Sequence, residues 1–134
     1  MKKRMIVIVL FVGLFIPGST FAETAKEYTQ GYNYLDEAIS EFTRAIENSP
    51  NYAGAYYNRA VAYIHKGNYD QAISDCTKAI ELKPNYAEAY YFRGVAYGGK
   101  GNSVQEASDY ARAAELKPEL NPKYVKSNKG LGLA

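Results

Sequence analysis

Residues 51–84 read NYAGAYYNRAVAYIHKGNYDQAISDCTKAIELKP, and residues 85–118 read NYAEAYYFRGVAYGGKGNSVQEASDYARAAELKP, the same pattern 34 positions later. Self-similarity at a fixed period of this length marks a chain built from copies of one supersecondary unit. Each copy buries its apolar face only against a neighbour. The matches include Asn51-Tyr52-Ala53 with Asn85-Tyr86-Ala87, Tyr56-Tyr57 with Tyr90-Tyr91, Arg59 with Arg93, and Gly67-Asn68 with Gly101-Asn102. They continue with Asp75 and Asp109 and end on Pro84 and Pro118. An earlier copy aligns only in its second half, where Ala38-Ile39-Ser40, Phe42, Ala45-Ile46-Glu47 and Pro50 match Ala72-Ile73-Ser74, Cys76, Ala79-Ile80-Glu81 and Pro84.

Periodicity assigns two helices to each unit. Over Ala53–Lys66, Tyr56, Ala60 and Tyr63 recur at i, i+4 and i+7, one helical stripe. Asp70–Leu82 carries the matching stripe Ala72, Cys76 and Ala79. Gly67 ends the first helix, where a left-handed backbone costs glycine little, and Pro84 cannot continue the second.

Tyr56, Ala60, Tyr63, Gly67, Tyr69, Ala72, Cys76, Ala79 and Pro84, followed by Tyr90, Gly94, Tyr97, Gly101, Tyr110, Ala113 and Pro118, resemble the tetratricopeptide repeat family over roughly residues 24–118. The resemblance implies an all-α fold of antiparallel helical hairpins, stacked as a short right-handed α-solenoid with a concave face that binds segments of other proteins. The units are a truncated repeat at 23–50 and full repeats at 51–84 and 85–118, followed by a tail at 119–134 expected to be mostly disordered, with one turn around Lys123–Lys126.

Two departures from the pattern carry expectations. Gly31 and Tyr34 correspond to Ala60 and Tyr63 at an offset of 29, so five residues of hairpin turn are missing between Tyr34 and Asp36. A single continuous or kinked helix over about 24–48 is favoured over a hairpin turning at Gly31-Tyr32-Asn33. In the last repeat, Ser103, Glu106 and Ala107 stand where Tyr69, Ala72 and Ile73 stand before. A glutamate buried without a partner is costly, so the final helix is expected to slip or start late. Carboxylate pairs such as Asp36-Glu37 are expected to begin second helices, where they suit the positive helix end.

Residues 1–22 are of another kind. Lys2, Lys3 and Arg4 precede an apolar run of 12 residues, Met5–Ile16, and Pro17, Gly18, Thr20 and Ala22 follow. That is the layout of a cleaved secretory signal peptide, and the run is shorter than the ~17–25 residues a spanning helix needs. The expected location is periplasmic or extracellular, with no stable membrane span after cleavage; a chain tethered by an uncleaved signal-anchor is the alternative. The 134-residue chain has 16 basic and 14 acidic residues. Three of the basic residues lie in the first 22, which leaves 13 against 14 and no basic excess for nucleic acid to meet.

No cofactor, metal or catalytic constellation is expected. Cys76 is the only cysteine and His65 the only histidine, so neither a disulfide nor a His/Cys metal cluster can form within the chain. Cys76 occupies a packing stripe and reads as apolar filler. By resemblance, the first helices line the groove, and the candidate peptide-binding residues are Tyr57, Asn58, Val61, His65, Tyr91, Phe92 and Val95. Tyr56 and Tyr90 are assigned to packing within the repeats. Some family members grip a partner's terminal carboxylate with Lys, Arg and Asn. Asn58 fits that set, but Glu88 and Phe92 stand where cations are needed, so that mode is not expected. The functional expectation is an exported, non-enzymatic protein–protein interaction module that binds a peptide or helix. The competing reading is a structural or assembly protein that self-stacks, or stacks on another repeat protein.

Overall fold

The structure is a computed structural model and describes residues 21–123, so the expected signal segment up to residue 20 and the tail beyond Lys123 lie outside the described residues. Five helices follow in order: α1 (Phe21–Asn48), α2 (Ala53–His65), α3 (Tyr69–Leu82), α4 (Ala87–Gly99) and α5 (Ser103–Leu116). A 3-10 turn, Pro118–Leu120, closes the described chain against α4 and α5. There is no strand among the described residues. The chain divides into two compact units, residues 1–37 and 38–134. Within the second, α2 pairs with α3 and α4 with α5, and α3 packs on α4 to join the pairs.

Each hairpin turns at a glycine with positive φ, Gly67 at 75° and Gly101 at 79°. The next amide closes the turn: Asn68 N–H donates to Tyr63 O and Asn102 N–H to Tyr97 O. Where the first unit lacks its turn residues no turn forms, and α1 runs as one helix of 28 residues through Gly31-Tyr32-Asn33. Asp36 and Glu37 therefore lie in the middle of α1 and begin no helix, which corrects the sequence expectation. The physical reason is the missing turn glycine, without which the helix has no stop to restart from.

Small residues build the centre. Ala60, Ala72, Cys76 and Ala96 are fully buried together, with Tyr63, Ile64, Tyr69, Ile73 and Phe92 packed around them. Alanines let the helices pack closely, and the larger side chains fill the periphery.

A ladder of polar groups ties each repeat to the one before it. Arg59 Nε and Nη2 donate to the two carboxylate oxygens of Asp75 at 2.7 and 2.8 Å, while Nη1 donates to Thr43 Oγ1 at 3.0 Å. Thr43 donates its own hydroxyl to Ile39 O, leaving oxygen lone pairs free for the guanidinium. One period later, Arg93 repeats this with Asp109 at 2.8 and 2.8 Å and with Thr77 at 3.2 Å. Thus a threonine on one second helix, an arginine on the next first helix and an aspartate on its paired second helix follow at steps of 16 residues. Arg59 and Asp75 side chains are 18% and 8% exposed. In that setting the bidentate geometry satisfies what burial would otherwise leave unpaired.

The last repeat does not slip. Ser103–Leu116 begins and ends 34 residues after Tyr69–Leu82, so the irregular start expected from Glu106 is corrected. Paired exchanges of volume explain how. Ala60 shares a buried cluster with Cys76 in the middle repeat, whereas Gly94 faces Tyr110 in the last, and a Cβ on Gly94 would lie 3.0 Å from the Tyr110 ring. Ile64 and Ala72 become Gly98 and Glu106, and the Glu106 carboxylate fills the space that a Gly98 side chain would need, with a Cβ there 2.6 Å from Oε1.

Three further substitutions in α5 fall at positions that, in the middle repeat, meet the repeat that follows. Tyr69 lays its ring over Gly99 of the following repeat, Ile73 packs against the buried cluster that includes Ala96 of that repeat, and Thr77 holds Arg93. On α5 these positions are Ser103, Ala107 and Ala111, all exposed. No following repeat stands among the described residues for them to hold.

Two measurements check these arrangements. Arg93→Ala leaves Asp109 buried without its cation and is expected to lower unfolding stability by about 3 kcal/mol, read by chemical denaturation. Gly94→Ala is expected to destabilise the native chain by ~1–3 kcal/mol through overpacking on Tyr110. In a Tyr110→Cys background the same change should stabilise by ~0.5–1 kcal/mol, because alanine is the better helix former.

Candidate functional site

The first helices α2 and α4 carry doubled tyrosines at the same register, and adjacent residues on a helix point about 100° apart. The structure gives the two rings of each pair different work. Tyr56 Oη donates to Pro50 O at 3.1 Å, and Tyr90 Oη donates to Pro84 O at 3.2 Å. Each hydroxyl ties a first helix to the proline that closes the preceding repeat. The Arg59 guanidinium lies 5.9 Å from the Tyr56 ring centre, and that of Arg93 5.5 Å from the Tyr90 centre, which attaches both rings to the polar ladder.

Tyr57 and Tyr91 enter a row of aromatic rings instead. Tyr57 lies 5.1 Å from Tyr86 in a tilted arrangement and 5.7 Å from Phe92 edge-on. Phe92 meets Tyr91 edge-on at 5.4 Å, and Tyr91 meets Tyr110 at 5.2 Å. The order is Tyr86, Tyr57, Phe92, Tyr91, Tyr110, drawn from α2, α4, α5 and the turn before α4. These separations suit the attraction between ring edges and faces, worth ~0.5–1.5 kcal/mol per pair beyond area burial. All five side chains are half-buried. Phe92 also packs on the buried cluster around Cys76, so it serves the core as well as the row.

Of the residues singled out by sequence, the row therefore brings together Tyr57, Phe92 and Tyr91. Asn58, Val61 and Val95 are half-buried on the same first helices, and His65 is exposed in the last turn of α2. Tyr86 and Tyr110 were missed. Tyr86 lies outside helical periodicity, just before α4, and Tyr110 occupies a stripe that in the middle repeat holds buried Cys76. Its large ring at a position otherwise taken by a small side chain was the signal that could have found it.

An ion pair borders the row. Lys117 Nζ donates to Glu88 Oε1 at 2.8 Å, joining the end of α5 to the first turn of α4. That hydrogen bond holds the Glu88 carboxyl below the usual carboxylate range against the opposing effect of partial burial. Lys83 Nζ stands 4.5 Å from the Tyr86 ring centre. Burial, with the nearby Tyr57 hydroxyl and Glu88 charge, pushes the Tyr86 phenol up to about 12. Burial and the Glu106 carboxylate do the same for Tyr110, also to about 12. Cys76, wholly buried, is pushed up to about 12 by desolvation, which keeps it a thiol and fits it as filler in the packing.

The raised phenols set an alkaline limit on the fold. Below pH ~10 both tyrosines are protonated in folded and unfolded chains alike, so they contribute fully. As pH rises past the unfolded value toward about 12, the unfolded chain ionises first and stability falls. Denaturation midpoints measured from pH 9 to 12 are expected to drop over that window, and Tyr86→Phe should reduce the slope.

No curated protein matches the chain. The tetratricopeptide repeat profile matches residues 53–86, which span α2 and α3. A solved complex of the first tetratricopeptide repeat domain of Spaghetti (RPAP3) with the HSP90 peptide SRMEEVD is similar at 32% identity and TM-score 0.66, over 81% of this chain and 86% of that one. The same domain of the human RPAP3 protein, solved by NMR, gives the same values. A crystal structure of MamA is similar at 34% identity and TM-score 0.59, over 63% of this chain and 46% of that one. With its 34-residue period, paired helices and positive-φ turn glycines, the chain belongs to the tetratricopeptide repeat family.

Proposed function

We propose that the protein is an exported, non-enzymatic protein–protein interaction module that binds a peptide or helix along a tyrosine-lined surface. The observation that carries this reading is the aromatic row from Tyr86 to Tyr110. Its rings lock one another in place yet remain half-exposed. Rigid aromatic side chains offer large contact area at low entropic cost, the property that makes them binding hot spots. Asn58, Val61, His65 and Val95 extend the surface on α2 and α4, and the Asn58 amide can donate to and accept from a peptide backbone.

Peptide binding by similar domains supports this use of the fold, since the RPAP3 domains were solved with an HSP90 peptide. That peptide, SRMEEVD, is acidic. Here the Glu88 carboxylate beside Tyr57 is already held by Lys117, and Phe92 stands in place of a cation. The favoured ligand is accordingly an apolar or aromatic segment rather than an acidic terminus. The alternative, end-to-end stacking, finds little support at α5, where the three groups that hold one repeat to the next have become Ser103, Ala107 and Ala111. Export rests on residues 1–22 and places the partner among envelope or extracellular proteins.

Crosslinking and recovery from the native host tests the reading. The wild-type chain should recover defined partners that a folded Tyr57→Ala/Tyr91→Ala variant loses by tenfold or more, and mass spectrometry of the recovered chain should place its first residue near Glu23. Equal recovery by the variant would sink the assignment of the surface, and an intact Met1 would sink signal cleavage.

A further inference from the structure

Among the described residues, the truncated first repeat has a second helix and no first helix packed on it. In the middle repeat, Ala72, Cys76 and Ala79 are wholly buried beneath α2. Their counterparts on α1, Ala38, Phe42 and Ala45, are all left half-exposed. The first-helix pattern itself is still present in the chain, because Gly31 and Tyr34 match Ala60 and Tyr63. It cannot fold back, since α1 continues without a turn from one half of the pattern to the other. Its packing positions are open. A Cβ on Gly31 would meet nothing within 4 Å, whereas one on Gly94 would meet Tyr110, and Tyr28, Tyr32 and Tyr34 are 41%, 43% and 63% exposed.

We infer that a second copy of this chain supplies the missing helix. Two α1 helices pair antiparallel, the first-helix segment of each lying on Ala38, Phe42 and Ala45 of the other. Helical spacing puts Gly31, Tyr34, Ala38, Phe42 and Ala45 on one face, so a single stripe serves both roles. The register follows from the complete repeats. Gly94 approaches Glu106 and Tyr110, and Gly98 approaches Glu106. Carried back to the truncated unit, Gly31 meets Ala38 and Phe42 of the other copy, and Leu35 meets Ala38. The two-fold axis then falls next to Leu35, and the contact is the same patch on both chains, as closed two-fold pairing requires. A hairpin whose connection is too short to close exchanges its arm with an identical molecule, and here five turn residues are missing. This contact is separate from the aromatic row and stands whatever the row binds.

Three measurements on the purified full-length protein test it. Light scattering after size exclusion should give twice the mass of the chain, and a monomer at 100 µM would overturn the inference. Leu35→Cys, treated with a short bismaleimide, should crosslink to a covalent dimer while Glu47→Cys stays single. Equal crosslinking at both positions, or none at Leu35→Cys, would overturn the antiparallel register whether or not other variants fold. Inserting Ile-His-Lys-Gly-Asn after Tyr34, the turn of the middle repeat, should close the hairpin and yield a monomer. A dimer that survives the insertion would overturn the exchange.

Discussion

The interaction on which the other contacts depend is the half-buried guanidinium of each first helix. Arg59 and Arg93 each reach forward to an aspartate on their own second helix and backward to a threonine on the preceding one. A half-buried cation is tolerable only when its donors are occupied, so each arginine demands that three helices hold position together. The side-chain hydrogen bond to the aspartate, the larger influence, keeps Arg59 firmly cationic and outweighs the desolvation that opposes it. Apolar packing on alanines is compact but slides easily. The directional fork is what fixes rotation and register from one helix pair to the next.

Once register is fixed, local volume can be traded freely. Alanine clustered with cysteine gives way to glycine opposite tyrosine, and isoleucine over alanine gives way to glycine beside glutamate, while helix boundaries stay in step. These exchanges set the composition of the candidate surface. Because Gly94 clears room for Tyr110, that ring extends to Tyr91 and lengthens the aromatic row by one member. Core substitution and surface chemistry are thus the same event in the last repeat.

The period, the hairpins and the turn glycines were legible in the sequence because each reports a local backbone requirement, such as the positive φ of Gly67 and Gly101. The missing turn after Tyr34 was equally readable, since a helix without a stop signal continues. Glu106 misled for a definite reason. Read alone it is a charge on a packing stripe, and only its approach to Gly98, eight residues away across a hairpin, shows the space it occupies. The doubled tyrosines were half legible. Periodicity separates Tyr56 from Tyr57, but the outward ring's neighbours Tyr86 and Phe92 come from the next repeat, and no single-repeat pattern contains them. The threonines were the least visible, because Thr43 and Thr77 look like ordinary helix-surface residues until an arginine 16 positions later turns toward them.

That 16-residue step has a consequence for where the chain can be divided. The sequence period suggests cutting between Pro84 and Asn85, at the seam between copies. The ladder crosses that seam, with Thr77 on one side and Arg93 and Asp109 on the other. A fragment beginning at Asn85 would keep its arginine–aspartate fork and lose the hydroxyl that occupies the third donor. The smallest self-consistent block therefore begins on a second helix and ends on the next one, half a period out of phase with the repeat as it is written. Shuffling or transplanting these units should respect that offset: the joint belongs within a hairpin, and the seam stays whole.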